Sequence, residues 1–203
     1  AHLIESGAAR RVLVVVPKPR LVGWVREVHR FTGMSALAVT GTREERERLY
    51  RLARKAEFVV VGFHALQREV DHLATLGCDV LVVDEAHRLK GRGTLQSRGF
   101  AKLAAAPWIF FLTATPMPNR PEELHALLTL LRPGLLGTLW GDFVPRYART
   151  KTIQRGRRKI PVIQGYKRLD ELRARITPYV FVKSAADDDV ALDLPPLHQI
   201  KVE

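Results

Sequence analysis

An apolar run that leads directly into two carboxylates is the clearest chemical feature of the chain. Residues 80–87 read VLVVDEAH, so Asp84 and Glu85 come at the end of a strand-like segment. Mg²⁺ favours few carboxylates together with phosphate oxygens and waters, which suits Asp84 as a metal ligand that acts through water. Glu85 is placed to polarise an attacking water, and His87 can link this site to neighbouring segments. The alternative interpretation is a solvated acidic turn.

A second strand-like run also ends in reactive groups. Residues 111–119 read FLTATPMPN, in which the hydroxyl residues Thr113 and Thr115 flank Ala114. Hydroxyls both donate and accept hydrogen bonds. At the end of a strand beside the acidic motif they can bind that motif and relay its state. The alternative is an ordinary Thr/Pro turn.

Both motifs require strands that end at one edge of a sheet. Five short runs are predicted as strands: Val12–Val16, Leu37–Thr40, Phe58–Val61, Val80–Val83 and Ile109–Leu112. Their near-continuous apolarity is typical of parallel strands that are covered on both faces. Ligands of open α/β sheets bind at the carboxyl ends of the strands, and the acidic motif would lie there.

Helical patterns separate these runs. Apolar residues at helical spacing predict a helix from Leu21, and Thr42 with Glu45 predicts a capping box at the start of the next helix. Further helices are predicted near His64–Leu73 and from Pro121. This alternation predicts an α/β fold, a right-handed, doubly wound parallel sheet with helices on both faces.

The chain is predicted to divide into three parts. Residues 1–135 form the α/β domain, residues 136–182 a small, basic, mainly helical appendage, and residues 183–203 a connector. Strand signals are weak over residues 141–175, so we expect short helices and loops there.

The charge of the chain predicts an anionic partner. The net charge is +12 and the pI is about 10.4, and nucleic acid is the commonest polyanion that so basic a protein meets. An arginine-rich source is the alternative explanation. The single cysteine, Cys78, allows no internal disulfide and is expected to be buried and unreactive. No apolar run approaches the ~20 residues that span a bilayer, and we expect a cytoplasmic or nucleoid-associated protein.

Five segments, in order, resemble the superfamily-two helicases and, within them, the Swi/Snf-type ATPases. These segments are residues 12–31, 60–67, 84–91, 112–137 and 179–203. The resemblance implies the first RecA-like lobe of a motor that hydrolyses ATP with Mg²⁺ and moves on double-stranded DNA. A second RecA-like lobe of the same protein would supply an arginine finger. Asp84, Glu85 and His87 take the catalytic positions, and Thr113, Ala114 and Thr115 the coupling motif.

The chain departs from that family in three places. Ala114 stands where many Swi/Snf members have glycine, which leaves room for an outlying branch, and the paired arginines usual near Lys183 are missing. Nothing matches GxxxxGK[ST], the loop that holds nucleotide phosphates. By the resemblance, residues 1–11 end the helix that follows this loop. We therefore expect the loop upstream of Ala1, and no activity from this fragment alone.

The resemblance also implies contacts with the nucleic-acid backbone from residues 17–24 and from the turn that follows the second strand. Lys18 and Arg20 are expected to meet phosphates. Gly41 and the amides at the start of the helix capped by Thr42 are expected to seat another phosphate. Such contacts follow a strand without reading its sequence.

Trp24 and the basic stretch 146–159 each have two possible interpretations. Trp24 is expected to pack in the core, with base stacking as the alternative. The basic residues 146–159 are expected on a helical protrusion that the family often inserts, where they can grip duplex DNA or a protein partner. A disordered, solvated loop is the alternative for this stretch.

Two rival functions remain open. One is a nucleic-acid-binding or scaffold module without ATPase activity, which the missing phosphate loop favours. The other is a different superfamily-two enzyme, either a strand-separating helicase or a restriction translocase, for which the TATP sequence leaves room.

Overall fold

The structure, a computed structural model, describes residues 1–91, 93–114, 121–137, 140–155 and 158–182. It divides into two compact units, Ala1–Phe143 and Val144–Glu203, whereas the sequence places the domain boundary after residue 135. The predicted connector, residues 183–203, lies outside the described residues, and so does Thr115.

Five parallel strands form the sheet of the first unit. They are β1 (Val12–Val16), β2 (Ala36–Val39), β3 (Phe58–Gly62), β4 (Val80–Asp84) and β5 (Trp108–Leu112). Their order across the sheet is β2-β3-β1-β4-β5, and every neighbouring pair is parallel. The predicted α/β fold with a parallel sheet is confirmed. Because all five strands run the same way, their carboxyl ends meet at one edge.

Helices join these strands. They are α1 (His2–Glu5), α2 (Leu21–Thr32), α3 (Arg43–Ala53), α4 (Ala65–Arg68), α5 (Val70–Thr75), α6 (Leu95–Leu103) and α7 (Pro121–Leu131). The helix predicted near residues 64–73 is two short helices, which are separated at Glu69. Within the described parts of the chain, no helix is long and apolar enough to cross a bilayer.

Two hydrophobic cores lie on opposite faces of the sheet. Leu13 and Val15 of β1 belong to one core, and Val14 and Val16 to the other. Successive side chains of a strand point to opposite faces, so β1 is buried on both. α2 packs in the second core through Leu21, while residues of α3, α5, α6 and α7 pack in the first. Helices therefore cover both faces, as predicted.

Strand β5 does not follow the expectation of burial on both faces. Trp108, Phe110 and Leu112 are 44%, 44% and 41% exposed, whereas Ile109 and Phe111 pack against the first core. The three exposed side chains alternate along β5 and therefore share one face, and neither hydrophobic core includes them. Among the described strands, β5 pairs only with β4 and forms an edge.

Helices α4 and α6 approach each other closely at Gly99. A Cβ atom at this position would overlap the backbone carbonyl oxygen of Leu66. Only glycine, which has no side chain, allows the two backbones to lie this near.

The second unit contains a long β-hairpin where the sequence predicts short helices and loops. Its strands are β6 (Ala148–Arg155) and β7 (Arg158–Tyr166), flanked by helices α8 (Trp140–Tyr147) and α9 (Leu169–Ile176). The helical and loop predictions are therefore wrong for residues 148–155 and 158–166. The apolar Ile153 and Ile160 face each other across the hairpin but stay exposed. A solvated two-stranded ribbon needs no continuous apolar run, so its strand signal is weak.

Candidate functional site

The candidate site lies at the carboxyl edge of the sheet, where β4 delivers Asp84. Strand β4 is an interior strand that pairs with β1 on one side and with β5 on the other. Asp84 is the last residue of β4 and is partly buried. Its Oδ1 accepts a hydrogen bond of 2.9 Å from the backbone N–H of Glu85. The predicted position of the acidic motif at the end of a buried strand is confirmed.

Glu85 has a backbone conformation that the sequence does not reveal. Its φ and ψ are 52° and 46°, in the left-handed region. For a residue with a Cβ this region costs about 1–2 kcal/mol. A 3₁₀ turn, Ala86–Leu89, follows at once, and its terminal residues Ala86 and Leu89 are buried. Backbone strain of this kind concentrates at functional sites.

His87 connects the acidic motif to the next strand. Its Nδ1 lies 3.3 Å from Oε2 of Glu85 and 3.2 Å from Oγ1 of Thr113. The imidazole nitrogen and the Thr113 hydroxyl can each donate or accept in the second contact. The predicted contact between the hydroxyls after β5 and the acidic motif is therefore present, with His87 as its intermediary. Ala114 follows in a bend.

Trp24 is a member of the site that sequence reasoning missed. Its ring packs against the second core, as predicted, but its Nε1–H also donates a hydrogen bond of 3.0 Å to Oδ2 of Asp84. A buried indole N–H generally needs an acceptor. That requirement is the signal that could have led from the tryptophan to the carboxylate.

Lys18 and Arg20 lie at the same edge of the sheet, after β1. The 3₁₀ turn Lys18–Arg20 follows Pro17 and leads directly into α2, and both cations are exposed. This arrangement places them where a phosphate backbone can approach, although their contact with nucleic acid stays a prediction.

The phosphate seat expected at Gly41 and Thr42 stays a prediction, and the structure shows the predicted capping box at this position. Thr42 caps α3 in a capping box: its side chain accepts from the N–H of Glu45, and its own N–H donates 2.6 Å to the Glu45 carboxylate. A hydrogen bond from its own backbone lowers the pKa of Glu44, and one from Thr42 contributes. Both carboxylates lie in the first turn of α3. A phosphate that binds there would compete with Glu45 for the N–H of Thr42.

A cavity of about 480 Å³ lies elsewhere in the first unit. Its lining residues are Arg43, Arg46, Glu47, Tyr50, Arg68, Glu69 and His72. Glu69 is buried and accepts hydrogen bonds from Arg46 (2.6 Å) and from the Tyr50 hydroxyl (2.7 Å). Burial, together with this hydrogen bond, raises the pKa of Tyr50. These polar groups bind one another, and Asp84 and Glu85 are not part of the cavity.

The donor set around Asp84 fits a magnesium ion held mainly by water and phosphate. No cluster of three or more His, Cys, Asp or Glu side chains suited to a metal occurs in the part of the chain that the structure describes. Mg²⁺ does not need such a cage, because it keeps several waters and uses one or two carboxylates with substrate phosphates. A carboxylate accepts about four hydrogen bonds or ligands, and Asp84 has accepting positions left on both oxygens.

Comparisons with known proteins agree with this arrangement. Residues 2–203 match the family model described as SNF2-related domain. The mouse chromodomain-helicase-DNA-binding protein 1-like is 31% identical over 199 residues, which are 94% of this chain and 20% of that protein. The human TATA-binding protein-associated factor 172 is 30% identical over 190 residues, 91% of this chain and 10% of that protein.

A solved structure shares the fold. The Sulfolobus solfataricus SWI2/SNF2 ATPase core in complex with dsDNA superimposes with a TM-score of 0.74 at 23% identity, over 96% of this chain and 38% of that one. The chain spans a fifth or less of the two curated relatives named above. Since the family model covers the chain almost from end to end, this chain belongs to the SNF2-related domain family.

Proposed function

We propose that this chain is the first RecA-like lobe of a motor that couples ATP hydrolysis to movement along duplex DNA. The observation that carries the proposal is the acidic motif at the end of interior strand β4. Asp84 and the strained Glu85 meet His87 and Thr113 there, at the edge where α/β proteins bind ligands. Membership of the SNF2-related domain family supports the same function.

Each residue of the site has a distinct part in the proposed reaction. Asp84 would hold a magnesium ion, which would supply positive charge to offset the charge that develops on the phosphates. Glu85 orients the attacking water. His87 lies against the Glu85 carboxylate and would limit its movement, while its contact with Thr113 links the site to the segment after β5.

The complete reaction needs parts that these 203 residues do not contain. The sequence has no GxxxxGK[ST] loop to cradle the triphosphate, and the resemblance assigns an arginine finger to a second lobe. Closure of two lobes around ATP would expel water, and their opening would advance the motor along a phosphate backbone. We therefore assign the activity to the whole protein and not to this lobe by itself.

The proposed nucleic-acid contacts follow the strand without reading bases. Lys18 and Arg20 are exposed on the turn after β1 and would bind phosphates. The net charge of +12 would draw the chain to DNA. Double-stranded DNA as the partner is supported by the Sulfolobus SWI2/SNF2 ATPase core, a protein of the same fold that was solved in complex with dsDNA.

The test is ATP hydrolysis by the intact protein, with and without duplex DNA, at several salt concentrations. We expect DNA to stimulate turnover, and stimulation to decline with salt because phosphate contacts release counterions. Glu85→Gln should keep ATP binding and reduce turnover about 100-fold or more, the range in which general acid–base groups act. The matched control is Glu27→Gln at an exposed position of α2, which should behave like the wild type.

The outcomes separate the rival functions. Normal turnover in Glu85→Gln would remove Glu85 from the mechanism. DNA binding without any turnover by the wild-type protein would instead favour a binding or scaffold module, and strand separation during turnover would favour an unwinding helicase.

A further inference from the structure

The hydrogen bond between Trp24 and Asp84 joins two elements at the point where the chain reverses its direction across the sheet. Strands β1 and β4 are neighbours, but β1 leads towards β2 on one side and β4 leads towards β5 on the other. Such a switch point opens a crevice between the two connections, and ligands of open α/β sheets bind there. Trp24 follows β1 and Asp84 ends β4, so their hydrogen bond bridges this crevice.

Two donors determine how the Asp84 carboxylate is turned. The N–H of Glu85 binds Oδ1 at 2.9 Å and the Nε1–H of Trp24 binds Oδ2 at 3.0 Å. The first donor belongs to the adjoining peptide and moves with Asp84 itself. The second comes from α2, sixty residues earlier in the chain, and fixes the orientation of the carboxylate relative to that helix.

The surroundings of Trp24 keep this donor in place. The indole is partly buried against the second core, near residues of β1 and β4. A planar ring that is packed in this way holds its N–H in one direction, whereas an exposed donor on a flexible side chain would not. Packing alone would be satisfied by another large aromatic side chain, but the hydrogen bond would not.

We propose that Trp24 is a positioning residue that fixes the orientation of the Asp84 carboxylate for the magnesium–nucleotide complex. The proposal rests on the proposed function of Asp84 and adds a residue of the preceding helix to that site. With both carboxylate oxygens held by an N–H, the remaining accepting position on each oxygen points away from those donors. Metal-bound water can use these positions. Loss of the indole N–H frees the carboxylate to rotate and weakens the magnesium site.

The decisive variant changes one atom of the intact protein. Replacement of Trp24 by benzothienylalanine keeps the bicyclic ring and exchanges the N–H for sulfur, and Trp24→Phe is the simpler companion. The magnesium concentration that gives half-maximal ATP turnover should rise about 10-fold in both, a typical effect of removing a partner of a metal ligand. The matched control, Trp108→Phe at an exposed position where β5 begins, should leave this concentration unchanged.

A second readout does not depend on activity. In protein labelled with 5-fluorotryptophan, the ¹⁹F resonance that disappears in Trp24→Phe belongs to Trp24, and Asp84→Asn should shift it while Glu27→Gln should not. A half-saturating magnesium concentration within twofold of wild type in the benzothienylalanine protein, or an unmoved resonance in Asp84→Asn, would refute the role of Trp24. If the wild type hydrolyses ATP in these experiments, the proposed ATPase function stands even when the positioning role of Trp24 is refuted. A wild type without turnover would overturn both.

Discussion

The left-handed backbone of Glu85 allows its strain to be measured separately from its chemistry. Glu85→Gly and Glu85→Ala both remove the carboxylate and its contact with His87, so this loss cancels when the two variants are compared. They differ in that alanine keeps the Cβ that makes a φ of 52° costly. The free-energy difference between them therefore contains the strain of this one residue together with the greater freedom of glycine in the unfolded chain.

The size of the effect follows from two opposing contributions. Relief of left-handed strain favours glycine by about 1–2 kcal/mol. The greater freedom of glycine in the unfolded chain opposes this by about 0.4–1 kcal/mol. We expect the turn of Glu85→Gly to be more stable than that of Glu85→Ala by about 1 kcal/mol, a factor of about five in its opening equilibrium.

Hydrogen exchange detected by mass spectrometry gives this equilibrium for peptides that cover Val80–Leu89. Amides of the 3₁₀ turn Ala86–Leu89 should exchange about five times more slowly in Glu85→Gly than in Glu85→Ala. The same pair of substitutions at Glu27, inside helix α2, should give the opposite order in peptides of α2, because glycine weakens a helix by about 1 kcal/mol relative to alanine. Slower exchange in the alanine variant than in the glycine variant would refute the strain at this site.

Two further predictions concern packing and titration. Gly99→Ala should destabilise the protein by about 1–3 kcal/mol, because the new methyl group meets the Leu66 carbonyl oxygen. Gly23→Ala has open space around it inside α2 and should stabilise the protein by about 0.5–1 kcal/mol. Thermal unfolding measures both changes, and equal shifts in melting temperature would contradict the close approach at Gly99. Burial raises the pKa of the Cys78 thiol to about 12, so the folded state binds this proton more tightly and loses stability as pH rises from about 9 towards 12. At pH 8 the native thiol should react with iodoacetamide more than about 100-fold more slowly than the thiol of the protein in urea, since the thiolate is the nucleophile. Peptide mass spectrometry measures both rates, and similar rates would mean that the native thiol is accessible.

Much of the fold could be predicted because the interior strands carry a direct signal. The strands β1, β3 and β4 are buried on both faces or nearly so, and their apolar runs match their observed bounds to within one residue. The capping box at Thr42 was equally predictable, since both of its hydrogen bonds are made by residues three apart in sequence.

The remaining features depend on distant parts of the chain. The exposed side of β5 has the same composition as a buried strand, and only the order of strands makes it an edge. The hairpin of β6 and β7 has cross-strand pairs such as Ile153 and Ile160, but these apolar side chains stay exposed, so the sequence lacks the pattern of a half-buried strand. Glu85 adopts a left-handed conformation directly before a turn whose residues Ala86 and Leu89 are buried, and no local pattern marks glutamate for that conformation.

The segment after β1 contributes to the proposed nucleic-acid contact and also to the proposed magnesium site. It presents Lys18 and Arg20 to solvent on a single 3₁₀ turn and then, within the first turn of α2, turns Trp24 towards Asp84. Arg20 and Trp24 are four residues apart, which is about 6 Å along a helix. Over so short a distance in regular backbone, a phosphate that displaced the turn would displace the indole as well. The proposed nucleic-acid contact and the proposed magnesium site thus lie on one continuous segment, which would give bound DNA a direct mechanical route to Asp84.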